Sequence, residues 1–324
     1  MQPMPAPRYA MVTPVYNEDK YIAAMIESVA GQTIPPTKWV IVDDGSTDNT
    51  AQIVASYASH CPFIELIRSP RREERLPGGE GAIQQALGRF DLSEYDFLAR
   101  FDADLIFESD YIERILGEFE CDPELGIAGG GLYVEQNGAI QLEVEPVYHV
   151  RGAVKMYRRQ CFEQIGGLAT QIGWDTIDEV SAWTKGWRTR SFFQYRVIHC
   201  RPTGFGLRAS RVYFERGKAE YFSWSSPIFV VIKAAKIAIA DIAPVKALNF
   251  FAGFMTGYMT GEPRLQDKQF VKTRRKQQLS RLLSFGSSSN TGLSSAPATV
   301  RARFVPSEAC AQAKPEPAAT TKGV

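Results

Sequence analysis

Apolar residues in this chain fall into short continuous runs separated by longer amphipathic stretches. Tyr9-Ala10-Met11-Val12, Trp39-Val40-Ile41-Val42 and the segment from Phe63 to Ile67 have strand length and mostly apolar character. Between the first two, Tyr21, Ile22, Met25, Ile26 and Val29 recur at helical spacing, and the run closes near Gly31. A second helix is predicted to start with Ser46 or Thr47 as its cap and to reach about Ser59. Strand, helix, strand, helix, strand is the alternation of a parallel sheet. Tyr95-Asp96-Phe97-Leu98-Ala99-Arg100 continues it as a buried strand. A helix with Ile112, Ile115, Leu116 and Phe119 on one face follows. Residues 80–90 read as a helix. Residues 126–134 and 139–147 read as strands around the hairpin signal Gln136-Asn137-Gly138, and residues 192–198 as an edge strand. The pattern predicts an α/β fold: a single domain over residues 8–225 with a mostly parallel central sheet flanked by helices.

The polar residues that interrupt these runs are concentrated where strands end. The second strand runs into Asp43-Asp44-Gly45-Ser46-Thr47-Asp48, and the fourth into Asp102-Ala103-Asp104. In an open α/β sheet, ligands bind beyond the carboxyl ends of the strands. In an extended chain Asp102 and Asp104 point the same way, whereas a turn divides them between two tasks. Two hard oxygen donors beside a diphosphate suit Mg²⁺ or Mn²⁺. Each carboxylate cluster alone is also ordinary βα-loop chemistry.

Composition narrows the class. The chain has 324 residues and a formal net charge of +1, which gives no sign of a general nucleic-acid binder. Five scattered cysteines without a Cys-x-x-Cys argue against a disulfide framework or a zinc site and fit a reducing cytosol. The Pro-rich start, with no apolar core segment, is not expected to be a signal peptide. The apolar run over residues 228–243 is broken by Lys233, Lys236 and Asp241. It is followed by Pro244 and a second apolar run over residues 245–259. Neither gives the roughly 20 uninterrupted apolar residues of a membrane span. Lys233, Lys236 and Lys246 suit an interfacial helix on an anionic membrane, and packing on the domain or on a partner chain suits the same pattern. Residues 268–281 read as a basic helix. From residue 284 the chain turns to Ser, Ala, Pro and Thr, and a disordered tail is expected over residues 284–324. Residues 226–283 are thus read as an apolar and basic helical extension.

Three motifs carry a resemblance. Thr13-Pro14-Val15-Tyr16-Asn17-Glu18, then Asp43-Asp44-Gly45-Ser46-Thr47-Asp48, then Asp102-x-Asp104 closely resemble, in that order, the inverting family 2 glycosyltransferases. The resemblance covers about residues 8–225. It implies the A-type nucleotide-sugar-binding fold and a nucleotide-sugar donor. It also implies that Thr13, Tyr16 and Glu18 line the nucleotide pocket and that Asp44 or Asp43 contacts base or ribose. Gly81 then lies in a glycine-rich approach to the diphosphate sugar, although the Asn usual there is missing. Asp102 and Asp104 stand at the metal and diphosphate. His199-Cys200-Arg201 resembles a His-x-Arg segment of related bacterial enzymes, which makes His199 a candidate metal ligand and Arg201 a candidate phosphate contact.

Sugar transfer with inversion needs a carboxylate beside the acceptor hydroxyl to take its proton. The resemblance assigns this to Asp175, which lies eleven residues before Gly186. Trp174 stands where the family has Glu, so Asp178 is the second candidate; both are equally readable as acids of a helix start. The expected acceptor is a glycan or a lipid-linked sugar, with the protein cytoplasmic and peripheral at the inner face of the membrane. Two alternatives stand beside this reading. A sugar nucleotidyltransferase would usually carry a Gly-rich basic loop after its first strand, and residues 13–18 hold neither glycine nor a basic residue. A degenerate non-catalytic sugar-nucleotide-binding protein would not need Asp44, Asp102, Asp104 and Asp175 intact.

Overall fold

The computed structural model describes residues 7–69, 80–136, 139–201, 209–240 and 242–283. Most of the glycine-rich approach before Gly81, the hairpin turn at Asn137-Gly138, Asp241 and the tail from residue 284 lie outside these. The strands are β1 (Tyr9–Val15), β2 (Lys38–Asp43), β3 (Ile64–Arg68), β4 (Phe97–Phe101), β5 (Leu105–Phe107), β6 (Leu125–Gln136), β7 (Ala139–Leu142), β8 (Val154–Arg158) and β9 (Arg188–His199). The helices are α1 (Ile22–Ala30), α2 (Thr50–Ala58), α3 (Glu80–Leu87), α4 (Tyr111–Cys121), α5 (Arg159–Gln164), α6 (Trp174–Thr184), α7 (Ala209–Phe222), α8 (Pro227–Ala240), α9 (Pro244–Thr260) and α10 (Lys268–Leu283).

One sheet runs β3-β2-β1-β4-β8-β6-β9-β5, with β7 paired to β6. The expected α/β domain is present. Its sheet is parallel from β3 to β4 and mixed beyond, because β8 returns antiparallel to both β4 and β6, and β5 to β9. β9 is not an edge strand; it lies between β6 and the three-residue β5. Strand alternation divides the core into two layers. Tyr9, Met11 and Val15 of β1 join α1 and α4 on one face, while Ala10 and Val12 join α3 and α5 on the other.

The first two βα loops are laced together. Asn17, at φ 54°, accepts from the Thr47 amide at 2.8 Å, and its own amide donates to Ser46 Oγ at 3.0 Å. The Glu18 amide donates to Thr50 Oγ1 at 2.7 Å. Ser46 and Thr47 are therefore spent on this lacing. They do not cap α2, which begins at Thr50 instead. Asparagine tolerates the left-handed backbone better than most residues, which suits it to this corner.

α7 to α10 form a helical layer with its own core of Tyr221, Phe222, Val230, Phe250, Phe254 and Phe270, and Ile177 and Val180 of α6 share it. α7 and α9 cross at glycines. A Cβ on Gly217 would collide with the Phe250 carbonyl, and one on Gly253 with the Phe214 carbonyl. Gly253→Ala should lower stability by about 1–3 kcal/mol, measured as a drop in thermal midpoint by circular dichroism. An unchanged midpoint would mean that the helices do not cross this closely.

Candidate active site

A cleft of about 810 Å³ opens at the carboxyl ends of β1 and β4 and extends to the helical layer. Tyr16, Glu18, Asp102, Asp104, His199 and Arg201 line it on one side, and His149, Trp174, Asp175 and Glu179 on the other. Arg216, Lys233, Arg274 and Arg281, from α7, α8 and α10, wall its far end.

Asp102 and Asp104 are split by the turn after β4. The Asp102 amide donates to the Ala153 carbonyl at 2.9 Å, and its carboxylate, 36% exposed, pairs with Arg100 Nη1 at 2.8 Å. Asp104 is buried. Its Oδ2 lies 2.9 Å from Arg201 Nε and 3.6 Å from His199 Nε2. This meeting follows from register: β5 pairs with β9 so that Leu105 sits opposite His199. Arg201 also reaches Glu18, so one guanidinium bridges the β1 loop to the end of β4. Burial pushes Glu18 up to about 7 although Arg201 opposes it. Burial pulls the His199 imidazole down, but Glu143, Asp104 and Asp102 outweigh it and leave it above the usual histidine value.

Among the described residues no three His, Cys, Asp or Glu side chains are close enough together to hold a metal on their own. The donor set nonetheless fits a hard divalent ion completed by ligand oxygens. Asp104 and His199 share one wall, and Glu18 keeps a buried Oε2 with no hydrogen-bond partner.

The second half of the site is built on β8 and α6. Gly173, at φ 86°, turns the chain into α6, and a Cβ there would come within 2.9 Å of Ala219. Asp175 then faces the cleft. Its carboxylate lies below the usual range, because His149, Lys155 and Arg151 outweigh the upward effect of burial. Asp178 is different: it is buried and does not line the cleft. Lys155 and Tyr157 project from the same face of β8. Lys155 Nζ is 2.8 Å from Asp178 Oδ1, and the Tyr157 hydroxyl donates to Asp178 Oδ2. Lys155, with no exposed side-chain surface, also lies 3.3 Å from Glu179 and donates to the Asp175 carbonyl at 2.6 Å. Trp174, at the position where the resemblance expected Glu, is buried with the Arg100 guanidinium 4.7 Å from its ring centroid.

Four sequence candidates are placed away from the cleft. Thr13 faces the core layer of Tyr9 and Met11, and its hydroxyl accepts from the Trp39 indole at 3.0 Å. Asp43 Oδ1 accepts from the Ser46 amide at 2.9 Å and closes its own turn. Asp44 is buried, with its amide on the Val15 carbonyl at 3.0 Å. Gly81 lies in the first turn of α3. None of the four lines the cleft. Conversely, His149, Lys155 and the α10 arginines were not singled out as site residues from sequence. His149 is one of only three histidines in the chain, which is the one signal that could have drawn notice to it.

Residues 11–169 match the family described as Glycosyl transferase family 2. That stretch is a family 2 glycosyltransferase domain. The chain is 31% identical over 119 residues to the chondroitin synthase of Escherichia coli, covering 37% of this chain and 16% of that protein. It is 23% identical over 172 residues to the poly-beta-1,6-N-acetyl-D-glucosamine synthase of Staphylococcus epidermidis, covering 52% and 40% respectively. The chain thus spans well under half the length of these relatives. Its fold is similar to that of the mannosyltransferase PcManGT from Pyrobaculum calidifontis, solved in complex with GDP-Man and Mn²⁺. The TM-score is 0.52 at 17% identity, over 87% of this chain and 81% of that one. The glycosyltransferase A-type fold expected from the motifs is present.

The buried Lys155 generates a stability prediction. Lys155→Met removes the cation shared by Asp178 and Glu179 and should cost about 3–5 kcal/mol in denaturant unfolding. A loss below 1 kcal/mol would show that the two carboxylates do not depend on it.

Proposed function

We propose that this protein moves a sugar from a nucleotide-diphosphate donor to a hydroxyl of a polysaccharide or lipid-linked acceptor, with inversion at C1. The observation that carries this reading is one cleft shared by Asp102, Asp104, His199 and Arg201 on one wall and by Asp175, its side chain 34% exposed, on the other. Tyr16, Glu18 and Arg201 take the donor, with the Arg201 N–H groups not engaged by Asp104 and Glu18 meeting the diphosphate as charge-assisted donors. Asp102, Asp104 and His199 would hold Mg²⁺ or Mn²⁺. Such an ion supplies a Lewis acid that neutralises charge developing on the leaving diphosphate.

Asp175 is the base in this reading. It accepts the acceptor proton as the hydroxyl oxygen attacks C1 from the face opposite the diphosphate, so no covalent intermediate is needed. Asp178 is left as a support, since its carboxylate is already committed to Lys155 and Tyr157. Thr13 and Asp43 hold the ends of β1 and β2, and Asp44 or Asp43 remains the candidate contact to base or ribose.

Calorimetric titration with UDP, GDP, dTDP and CMP, each with and without Mn²⁺, tests the donor half. One diphosphate should bind in a metal-dependent way, and Asp104→Ala should abolish that dependence. Metal-dependent affinity that survives the substitution removes Asp104 from the role. Asp175→Asn should keep donor binding and lose transfer by about 100-fold or more. Full transfer by this variant moves the base elsewhere.

The same reading places the helical layer at a membrane surface. Among the described residues no helix is long and apolar enough to cross a membrane. Yet Ile228, Ile239, Val245, Leu248 and Met259 are exposed on α8 and α9, Ile239 by 78% and Met259 by 83%, alongside Lys236 and Lys246. Apolar exposure beside cations suits an anionic lipid surface. The protein should co-sediment with vesicles containing phosphatidylglycerol, and Ile239→Glu combined with Met259→Glu should release it. Equal recovery in the supernatant with and without vesicles would refute the membrane contact.

A further inference from the structure

Asp175 does not stand alone in its wall of the cleft. Asp175 and Glu179 are one turn apart on α6 and share a face. His149, from the segment before β8, lies against both. Its Nδ1 is 2.9 Å from Glu179 Oε2, and its Nε2 is 3.9 Å from Asp175 Oδ2. We propose that His149 is a positioning residue for the base: anchored by Glu179 through Nδ1, it sets the Nε2 edge of its ring beside the Asp175 carboxylate in the wall of the cleft. This rests on Asp175 being the base.

Glu179 is fixed well enough to serve as the anchor. It is fully buried. Its other oxygen accepts from the Val150 amide at 2.7 Å and lies 3.3 Å from Lys155 Nζ. With Oε2 accepting from Nδ1, the ring proton is held on that side, and Nε2 is the atom that faces Asp175. The His149 backbone is tied as well, since Ser191 Oγ of β9 donates to its carbonyl at 2.6 Å. The side chain is 17% exposed, so it borders the cleft without opening into it. No other histidine is near: His60 follows α2, and His199 ends β9 on the opposite wall.

The surrounding charges favour a cationic ring. Glu179 and Asp175 face it from α6, and Glu145 from its own connecting segment; Lys155 of β8 and Arg151 are the nearby cations. Burial pulls the imidazole down, but Glu179, Asp175 and Glu145 outweigh it and leave it above the usual histidine value. The reciprocal effect appears at Asp175, where His149 is the foremost of the cations that hold the carboxylate down. The contact at 3.9 Å is longer than a hydrogen bond, which leaves both Asp175 oxygens able to accept from an acceptor hydroxyl. Removing the cation should therefore raise the Asp175 pKa and move the acid limb of the rate profile to higher pH.

Two measurements on the full chain test this. In histidine ring NMR, the three resonances are assigned by single His→Gln variants. His149 should titrate above the usual histidine value, and Glu179→Gln and Asp175→Asn should each lower its midpoint, Glu179→Gln by about one unit. In the pH profile of kcat, His149→Gln should shift the acid limb upward by about one unit with the donor KM unchanged. His149→Asn, which can still donate to Glu179, should show the same shift. A His149 midpoint indifferent to Asp175→Asn, or an acid limb that superimposes on the wild type, overturns the proposal. If the wild-type protein transfers sugar from no donor, the functional reading fails by itself, and the NMR titration still decides whether His149 and Asp175 are coupled.

Discussion

The buried ammonium of Lys155 is the interaction on which this site depends. Taking a lysine out of water costs several kcal/mol unless its charge is met, and removing one partner of such a group leaves an unpaired buried ion. Here Asp178, Glu179 and the Asp175 carbonyl meet it from the first two turns of α6. Tyr157, two residues further along β8, takes the second oxygen of Asp178. One strand is thereby locked to the first two turns of one helix. The position of Asp175 in the cleft is a consequence of that lock, as is the reach of Glu179 to His149.

A second charged junction organises the opposite wall. Arg201 bridges Glu18 and Asp104 and lies over the Tyr21 ring at 5.0 Å. It joins the loop after β1, the turn after β4 and the end of β9, three segments far apart in sequence. The carboxylates are thus compensated before any ligand arrives. Glu18 is still pushed up to about 7, because burial exceeds what one guanidinium returns. Stability and ligand chemistry therefore draw on the same side chains, and each wall pairs a cation with two acids.

The helical layer is a wall of the cleft as well as an extension of the chain. α6 shares Ile177 and Val180 with the core of α7 to α10, so the helix that carries Asp175 is supported from both sides. α7 and α9 cross closely at Gly217 and Gly253, and Arg216 of α7, Lys233 of α8 and Arg274 and Arg281 of α10 stand at the far end of the cleft. Arg274 and Lys233 both pair with Glu220, whose carboxylate is held down to about 2 because these cations outweigh its burial.

Much of this was written locally in the sequence. Apolar runs of strand length, helical spacing between them and carboxylates at strand ends determined the α/β order and put Asp102 and Asp104 at the end of a strand, while Glu18 and Asp175 became candidates through the resemblance. These signals need only a few neighbouring residues, because strand alternation and the helical repeat are local periodicities. The sequence did not decide which of these acids would be free. Asp175 and Asp178 look alike as first-turn acids of one helix. Only the docking of α6 on β8 commits Asp178 to Lys155 and leaves Asp175 in the cleft. Asp43 and Asp44 look alike as strand-end acids, and only the folded loop commits Asp43 to the Ser46 amide and buries both. His149 carried no motif at all, and its partners lie about thirty residues away on another element. Pairings of that kind depend on register and packing summed over the whole fold, so they become definite only when the tertiary structure closes.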